Sequence, residues 1–283
     1  MSERTSGTPR RPSSRAALTK VWKPSPAPAA RGYAFAHAGA GALKLRSLAL
    51  AAPDWMEIVA IRLPGREGRL HEPPLVDLDH AVGTVGHAIA AADDGGCPIF
   101  LFGACAGAVL AFETATLLAR EGRAAGLIVT SRSAPHLPVA AAPPDDETAL
   151  EELVALGGIP SALLSSPPAL ALLTSALRAD QKLVDGYHRP AQARCHLPVL
   201  ALYGADDPLL SAEQLQPWQE HTTAVTQVTE VPGGHFLLDD SPQQLAAAIG
   251  AFTAPLLSGA GARRTTGDHQ ERLSATRGTP RSS

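Results

Sequence analysis

Short apolar runs alternate with longer segments of helical periodicity through the middle of the chain. Each apolar run is bounded by glycine, proline or polar residues, which is typical of strands buried on both faces. Such alternation predicts an α/β fold, with a mostly parallel central sheet and helices on both of its faces. The predicted strands lie at 32–36, 56–61, 98–103, 126–131, 197–204 and 226–231, and the predicted helices include 78–92, 108–122 and 242–252.

The strand pattern stops between Arg132 and Pro190. Residues 145–158 and 167–187 have helical patterns instead, with proline and glycine between them. This insertion is too long for a plain connection between strands. We therefore predict a helical lid at about 133–190, above the C-terminal edge of the sheet. The alternative is that these are two ordinary crossover helices.

The two ends of the chain differ from its middle in composition. Residues 1–20 contain five basic residues and one acidic residue, and 259–283 contain five arginines and two acidic residues. Both segments are rich in small and polar residues and contain few large apolar ones, so we predict disordered basic tails. The domain is then 21–258. Because the whole chain has a net charge of −3, this domain is acidic, which argues against nucleic acid as a partner.

Cysteine usage and hydropathy bear on the cellular compartment. The chain has 3 cysteines and no CxxC motif, so a disulfide framework is not expected and a reducing cytoplasm is. The basic N-terminal segment lacks the apolar core of a secretory signal. No stretch of about 18 apolar residues is present, so no membrane association is predicted.

The segment Gly103-Ala104-Cys105-Ala106-Gly107 lies where a predicted strand turns directly into a helix. Small residues on both sides of such a turn let the chain pass closely and hold the central side chain above the sheet edge. The start of the following helix favours a thiolate at this position. Cys105 is therefore a candidate nucleophile, and the alternative is a buried structural cysteine. Cys97 and Cys195 have no such surroundings, and we interpret both as structural.

A nucleophile needs a base, and the base needs a group that orients it. His235 follows the last predicted strand in a glycine-rich turn, where this architecture delivers an imidazole to the strand–helix turn. Asp206 and Asp207 end another strand, and either carboxylate is suitably placed along the chain to orient His235. The order of Cys105, an aspartate and then His235 predicts a catalytic triad.

Acyl transfer also requires donors for the oxyanion. The backbone N–H of Ala106 is one candidate, and the loop after the first strand supplies a second, most simply at Ala38. A rival interpretation of Gly39-Ala40-Gly41 is a nucleotide-binding loop. It fails because the third glycine of that motif is replaced by Lys44.

The remaining histidines lack metal-ligand spacing, so we expect no metal site and no resident cofactor. His37 borders the predicted oxyanion loop, where a wall or structural role is expected rather than proton transfer. His136 lies at the base of the predicted lid and is a candidate for lining the substrate cavity, although a surface position is an equal alternative.

Several of these stretches together resemble the type II, or editing, thioesterases of nonribosomal peptide and polyketide synthesis, which belong to the α/β-hydrolase superfamily. The resemblance is carried by "FAHAGAGA", "RLPGREGRLHEPP", "LFGACAGAVLAFE", "SRSAPHLP", "GADDPLLSAEQLQPW" and "VPGGHFLL", along with the helical segment after Leu156. It spans about residues 21–252. It implies that the acid is Asp207, which precedes the proline, and that the protein is a monomer.

The resemblance also implies a substrate: acyl groups held on the phosphopantetheine arm of an acyl or peptidyl carrier protein. The chain departs from the family at the site itself, where histidine, serine and a bulky apolar residue are usual. Here they are replaced by Ala104, Cys105 and Ala106. The two alanines are expected to widen the space around the nucleophile, with Ala104 as a candidate for contacting substrate.

Three functions are compatible with this sequence. The first is hydrolysis of carrier-bound thioesters through an acyl-Cys105 intermediate. The second is acyl transfer or cyclisation with an amine or another acceptor, because a thioester intermediate stays activated. The third is a catalytically silent relative that only binds carrier protein or acyl chain. The complete set of nucleophile, acid and histidine argues against this third function.

Overall fold

The computed structural model describes residues 18–93, 95–139, 143, 145–159 and 161–257. Its centre is a seven-stranded sheet in the order β1-β3-β2-β4-β5-β6-β7. All neighbouring pairs from β3 to β7 are parallel, which confirms the predicted α/β class. The strands are β1 (Thr19–Val21), β2 (Ala30–Phe35), β3 (Met56–Ile61), β4 (Ile99–Ala104), β5 (Ala124–Thr130), β6 (Val199–Gly204) and β7 (Thr226–Val231).

The edge strand β1 was not predicted from the sequence. It pairs antiparallel with β3, from Thr19 opposite Ile61 to Val21 opposite Val59, and the preceding Leu18 is buried. The sheet therefore begins inside the segment 1–20 that we assigned to a disordered tail. Three residues with two polar side chains carry no readable strand pattern. The rest of that tail, and the predicted tail at 259–283, lie outside the described residues.

Helices cover both faces of the sheet. Along β4, Leu101 packs on the side of the helices Leu78–Ala92 and Ala106–Arg120, whereas Phe100 and Phe102 pack on the side of the helices Arg46–Ala51 and 242–257. Alternate side chains of a strand point to opposite faces, so every buried strand contributes to both cores. The helices are α1 (Arg46–Ala51), α2 (Leu78–Ala92), α3 (Ala106–Arg120), α4 (Asp146–Ala155), α5 (Ser161–Leu164), α6 (Pro167–Val184), α7 (Ala212–Leu215), α8 (Leu237–Asp240) and α9 (242–257).

Helices α4, α5 and α6 form the insertion between β5 and β6. Asp145 caps α4 by accepting a hydrogen bond from the Thr148 amide at 2.8 Å. Helix α6 combines both roles considered for this segment, because Leu183 is buried in the core beside α3 while Leu177 and Gln181 line a cleft above the sheet edge. The insertion is therefore a lid whose last helix is also packed against the sheet layer.

Two ionic clusters attach α6 and the segment after it to the body of the domain. Arg66 donates to both carboxylate oxygens of Asp180 at 2.6 and 2.7 Å, and the second partner of Asp180 is the Gly39 amide at 2.8 Å. Tyr187 and Arg189 both donate to Glu113 of α3. The first cluster connects the lid with the loop after β2, and the second connects the end of the lid with α3.

Within the part of the chain that the structure describes, no helix has both the length and the apolar composition that would let it cross a lipid bilayer.

The buried Arg66–Asp180 pair generates a stability prediction. The two side chains are only 8% and 6% exposed. Removing one partner leaves the other charge buried and unpaired, which typically costs about 3–5 kcal/mol. We therefore expect Asp180→Ala to lower the free energy of unfolding by about that amount, measured by urea-induced unfolding monitored by circular dichroism.

The matched control is Asp54→Ala, which removes a carboxylate from the ion pair with Lys23. Asp54 is 96% exposed, and exposed pairs contribute little to stability. Equal unfolding curves for the Asp180→Ala and Asp54→Ala variants would contradict the structural importance of the buried pair.

Candidate active site

Cys105 is the single residue between β4 and α3. Its backbone has φ 51° and ψ −117°, a conformation that is rare for a residue with a side chain and that stores strain at functional sites. The Cys105 amide donates to the Thr130 carbonyl of the neighbouring strand at 2.9 Å, which holds the turn in place. The strand–helix turn predicted from the sequence is therefore present, with the thiol at its apex.

The glycines on both sides of Cys105 allow the chain to pass at close range. A Cβ atom on Gly103 would collide with the backbone carbonyl of Gly107, and one on Gly107 would collide with the carbonyl of Ala36. These collisions are with backbone, which cannot move aside as a flexible side chain does. Both glycines are thus required by the packing of α3 against β2 and β4.

His235 and Asp207 meet above the same edge of the sheet. The Nδ1–H group of His235 donates to Asp207 Oδ2 at 2.9 Å, and the Asp207 side chain is fully buried. The other oxygen, Oδ1, accepts from the Leu209 amide at 2.9 Å. Asp206 is exposed, and its amide bonds to the Gly233 carbonyl. The geometry therefore distinguishes between the two candidate acids and brings Asp207 to His235.

The imidazole of His235 lies between Asp207 and the sulfur of Cys105. Burial lowers the pKa of His235, but hydrogen bonds to Asp207 and Cys105 and the negative charges of both raise it to about 9. Burial raises the pKa of the Cys105 thiol, and this is outweighed by the hydrogen bond and charge of His235, the charge of Arg132 and the Ala106 N–H, so the net pKa is lowered. Both shifts favour a thiolate–imidazolium pair.

The two residues expected to donate to an oxyanion border the same cleft as the thiol. Ala38 and Ala106 line this cleft together with Cys105, and the Ala106 N–H helps to lower the pKa of the Cys105 thiol. Among the described residues, the Ala38 amide has no protein acceptor. The loop around Ala38 is fixed, because the next amide, Gly39, bonds to Asp180 and the Ala40 carbonyl accepts from Arg66 at 3.0 Å.

His37 lies beside the site as a neutral, buried ring. It donates from Nδ1 to the Ala38 carbonyl at 3.1 Å and packs edge-to-face on Phe236, with ring centroids 4.7 Å apart. Burial, the largest cause, lowers its pKa to about 4, so the ring is uncharged near neutral pH. Within the described chain its Nε2 atom has no hydrogen-bond partner. His37 shares a small cavity with Cys105 and His235, which fits the expected wall position.

A cleft of about 550 Å³ opens in front of Cys105. Its walls come from the turn at Cys105 and from the lid, and they are largely apolar. Ala106 lines this cleft, whereas Ala104 does not. Ala104 is buried in the core on one face of the sheet and borders the small cavity that His37, Cys105 and His235 share. The prediction that Ala104 contacts substrate is therefore not supported by its position.

His136 is also absent from the lining of this cleft, contrary to its candidacy as a cavity residue. Its Nδ1 atom hydrogen bonds to Nε2 of His221 at 2.8 Å, and its Nε2 faces Glu220 at 3.8 Å. His221 in turn packs edge-to-face on Phe112. The ring of His136 is thus occupied by contacts between the lid base and the body of the domain, which is a structural position.

Sequence reasoning missed Arg132 and Tyr187, which both line the cleft in front of Cys105. Arg132 lies two residues after β5. Ligands of α/β proteins bind outside the carboxyl ends of parallel strands, so this position was an unused signal for Arg132. Tyr187 lies in an irregular segment after α6 and had no readable signal.

A second cleft of about 520 Å³ lies on the other side of the loop 37–41, between that loop and α6. It is bordered by His37, Lys44 and Arg66 and by apolar side chains of the lid. In the described ranges of the chain, no group of three or more histidine, cysteine or carboxylate side chains is placed to hold a metal ion.

Comparisons with known proteins agree with this architecture. The family described as "Thioesterase domain" matches residues 33–253. The chain is 31% identical to the probable cadicidin biosynthesis thioesterase of Streptomyces griseus over 185 residues, which cover 64% of this chain and 51% of that protein. It thus spans about half the length of that relative.

Two further proteins match along most of their length. The gramicidin S biosynthesis protein GrsT of Aneurinibacillus migulanus is 30% identical over 198 residues, covering 68% of this chain and 77% of that protein. The solved structure of YbtT, a type II thioesterase from the yersiniabactin NRPS/PKS pathway, superposes with a TM-score of 0.76 at 25% identity, covering 85% of this chain and 100% of that one. On the match of residues 33–253 and the agreement in fold, this chain belongs to the thioesterase domain family.

Proposed function

We propose that this protein is a type II thioesterase that removes acyl groups from the phosphopantetheine arms of carrier proteins in nonribosomal peptide or polyketide synthesis. Cys105 is the nucleophile, His235 the general base and acid, and Asp207 the group that orients His235. The observation that carries the proposal is the placement of His235, which is hydrogen bonded to Asp207 and shares a small cavity with Cys105, the residue that opens onto a largely apolar cleft.

The first half of the reaction acylates Cys105. The thiolate attacks the thioester carbonyl, a carbon–sulfur bond forms, and the carbonyl oxygen becomes an oxyanion that faces the amides of Ala38 and Ala106. The tetrahedral intermediate then breaks its bond to the pantetheine sulfur. That sulfur leaves with the proton of the His235 imidazolium.

The second half releases the acyl group. His235, now neutral, takes a proton from water as the water oxygen attacks the acyl carbon. The intermediate collapses, expels the Cys105 thiolate and yields the free acid. Asp207 keeps the ring in the tautomer that this step needs and stabilises the imidazolium that results. No resident cofactor takes part, and the phosphopantetheine arm belongs to the substrate.

Backbone amides are expected to stabilise both tetrahedral intermediates. The Ala106 N–H lies in the first turn of α3, whose dipole favours negative charge at this end. The Ala38 amide is fixed by its neighbours Gly39 and Ala40. One donor of this kind contributes about 10²–10³ in rate.

The relatives support the assignment of a carrier-protein substrate. GrsT is named for gramicidin S biosynthesis, and YbtT is described as a type II thioesterase of an NRPS/PKS pathway. We propose a cytoplasmic location, because acyl or peptidyl carrier proteins work there, and a monomer, because every proposed catalytic group comes from one chain.

Acyl transfer to an amine is a second candidate, and the sulfur nucleophile favours it. Exchange of one thioester for another is nearly thermoneutral, so the acyl-Cys105 intermediate remains activated. Amines attack thioesters far more readily than oxygen esters. The same His235 would deprotonate an amine acceptor in place of water. A silent binding role is disfavoured, because a protein that only binds has no need of the buried Asp207–His235–Cys105 arrangement.

Covalent catalysis predicts a detectable acyl-enzyme. We expect one acyl mass to be added when the protein is incubated with hexanoyl-pantetheine, quenched with acid and analysed by intact-protein mass spectrometry. The adduct should be absent in Cys105→Ala and retained in Cys195→Ala, because Cys195 is buried away from the site. An adduct missing from wild type and also from His235→Ala, in which release is slowed, would argue against a covalent intermediate.

The shifted pKa values predict an unusual pH profile for alkylation by iodoacetamide. In wild type, the lowered pKa of Cys105 should keep the thiolate populated below about pH 8.5, the value of a free cysteine. In His235→Ala, burial still raises the pKa of the thiol while the imidazolium is gone, so the midpoint of alkylation should move to clearly higher pH.

The control for this experiment is His196→Ala, which removes an exposed imidazole bonded to Thr223. The alkylation midpoint of this variant should equal that of wild type. The same midpoint in His235→Ala would show that His235 does not control the thiol.

Replacing sulfur by oxygen predicts a change in products. With hexanoyl-pantetheine and excess glycinamide, wild type should form both acid and amide, and Cys105→Ser should form several-fold less amide relative to acid. The products are quantified by liquid chromatography, with Cys195→Ser as the matched control. An unchanged acid-to-amide ratio in Cys105→Ser would exclude a role of sulfur in the choice of acceptor.

A further inference from the structure

Arg132 enters the cleft in front of Cys105 from a rigid turn. The preceding Ser131 has φ 56°, and its hydroxyl donates to the His235 carbonyl at 2.6 Å. The Arg132 carbonyl accepts from the Trp218 indole at 3.0 Å. The backbone is thus fixed on both sides of the Arg132 side chain. The hydrogen bond of Ser131 also joins this turn to the loop that holds His235.

The guanidinium of Arg132 has no carboxylate partner in the described ranges of the chain. Other arginines of the lid and its surroundings do have one, since Arg66 binds Asp180 and Arg189 binds Glu113. The groups whose charge acts on Arg132 are the Cys105 sulfur and the Tyr187 phenol, and burial lowers its pKa. Arg132 is therefore a partly desolvated cation that lines the same cleft as Cys105 and has no carboxylate partner among the described residues.

Two carboxylates border the same cleft, but both belong to exposed residues, Glu152 and Asp185. Neither is among the groups that act on the charge of Arg132. Water screens exposed charges strongly and half-buried ones less. The interior of the cleft therefore has positive character at Arg132, and its rim is acidic.

Acylation changes the charge balance around Arg132. Before the reaction, the negative charge of the Cys105 thiolate acts on Arg132. Once an acyl group is attached, that sulfur is neutral, and this favourable interaction of Arg132 is lost. A carboxylate on the acyl group would restore a partner, and the guanidinium fork is suited to bind it with two parallel hydrogen bonds.

We propose that Arg132 makes this site selective for acyl groups that carry a free carboxylate a few bonds from the thioester, such as malonyl and succinyl groups. This inference rests on the proposed thioesterase function and names its substrate class. The phosphate of the carrier's arm is a different anion, and it lies at the far end of the arm when the thioester is at Cys105.

The test compares matched thioesters of phosphate-free pantetheine, so that any preference arises from the acyl group. Succinyl-pantetheine is compared with butyryl-pantetheine, which lacks the carboxylate, and with the neutral succinamoyl analogue, which has the same shape. Malonyl and propionyl form a second pair. Product acids are quantified by mass spectrometry, with the rate in the absence of protein subtracted, and kcat/KM is determined for each.

We expect wild type to favour each carboxyacyl group by about tenfold or more, as typical of a hydrogen bond to a charged group. Arg132→Gln should bring the ratio close to one, and Arg132→Lys should keep part of it. Arg120→Gln removes the same charge from the exposed far end of α3 and should keep the full ratio. A ratio near or below one in wild type, or an unchanged ratio in Arg132→Gln, would overturn the inference.

Because Arg132 also acts on Cys105, the ratio between substrates is the readout rather than the absolute rate. A binding measurement distinguishes a failure of this inference from a failure of the proposed function. Cys105→Ala is titrated calorimetrically with stable amide analogues of succinyl- and butyryl-pantetheine. Tighter binding of the succinyl analogue by about tenfold, lost on adding Arg132→Gln, supports the inference even if no thioester is hydrolysed. Equal binding would contradict it even if hydrolysis occurs.

Discussion

The close passage of β4, β2 and α3 around Cys105 is the constraint on which the site depends. Two glycines allow this passage, and the residue between them is forced into a backbone conformation that costs of order 1–3 kcal/mol. The hydrogen bond to Thr130 and the burial of α3 hold the strained turn. The backbone of Cys105 is therefore held between a strand and a helix, and the other groups of the site are arranged around it.

Those other groups come from distant parts of the chain and are connected by buried polar contacts. Ser131 binds the backbone of His235, and His235 binds Asp207. On the other side, Asp180 of the lid binds both Arg66 and the Gly39 amide next to the expected oxyanion donor. A lid helix therefore supports the geometry of the loop beside Cys105 in addition to lining the cleft in front of it.

Much of this could be predicted from the sequence, because it depends on local patterns. The parallel strands are continuous apolar runs, the turn at Cys105 has its flanking glycines, and His235 follows a strand in a glycine-rich turn. The edge strand at Thr19–Val21 was missed because only its pairing with β3 identifies it.

Other features depend on contacts between residues far apart in the chain. The Arg66–Asp180 pair joins positions separated by 114 residues, and no local pattern connects them. His136, at the base of the predicted lid, was a candidate for either the cavity or the surface, yet its ring bonds to His221, 85 residues away. The choice between Asp206 and Asp207 was likewise not decided by spacing alone. It followed from the family resemblance, and the geometry distinguishes the two acids because only one carboxylate reaches His235.

The sulfur at the strained turn also links this protein to the redox state of its surroundings. A half-buried cysteine with a lowered pKa is the kind of thiol that peroxides convert to sulfenic acid, which thiol reductants reverse. A serine at the same place has no such chemistry. If Cys105 acts as proposed, its oxidation removes the nucleophile, and the activity becomes sensitive to oxidants in a way that a serine at this position would not allow.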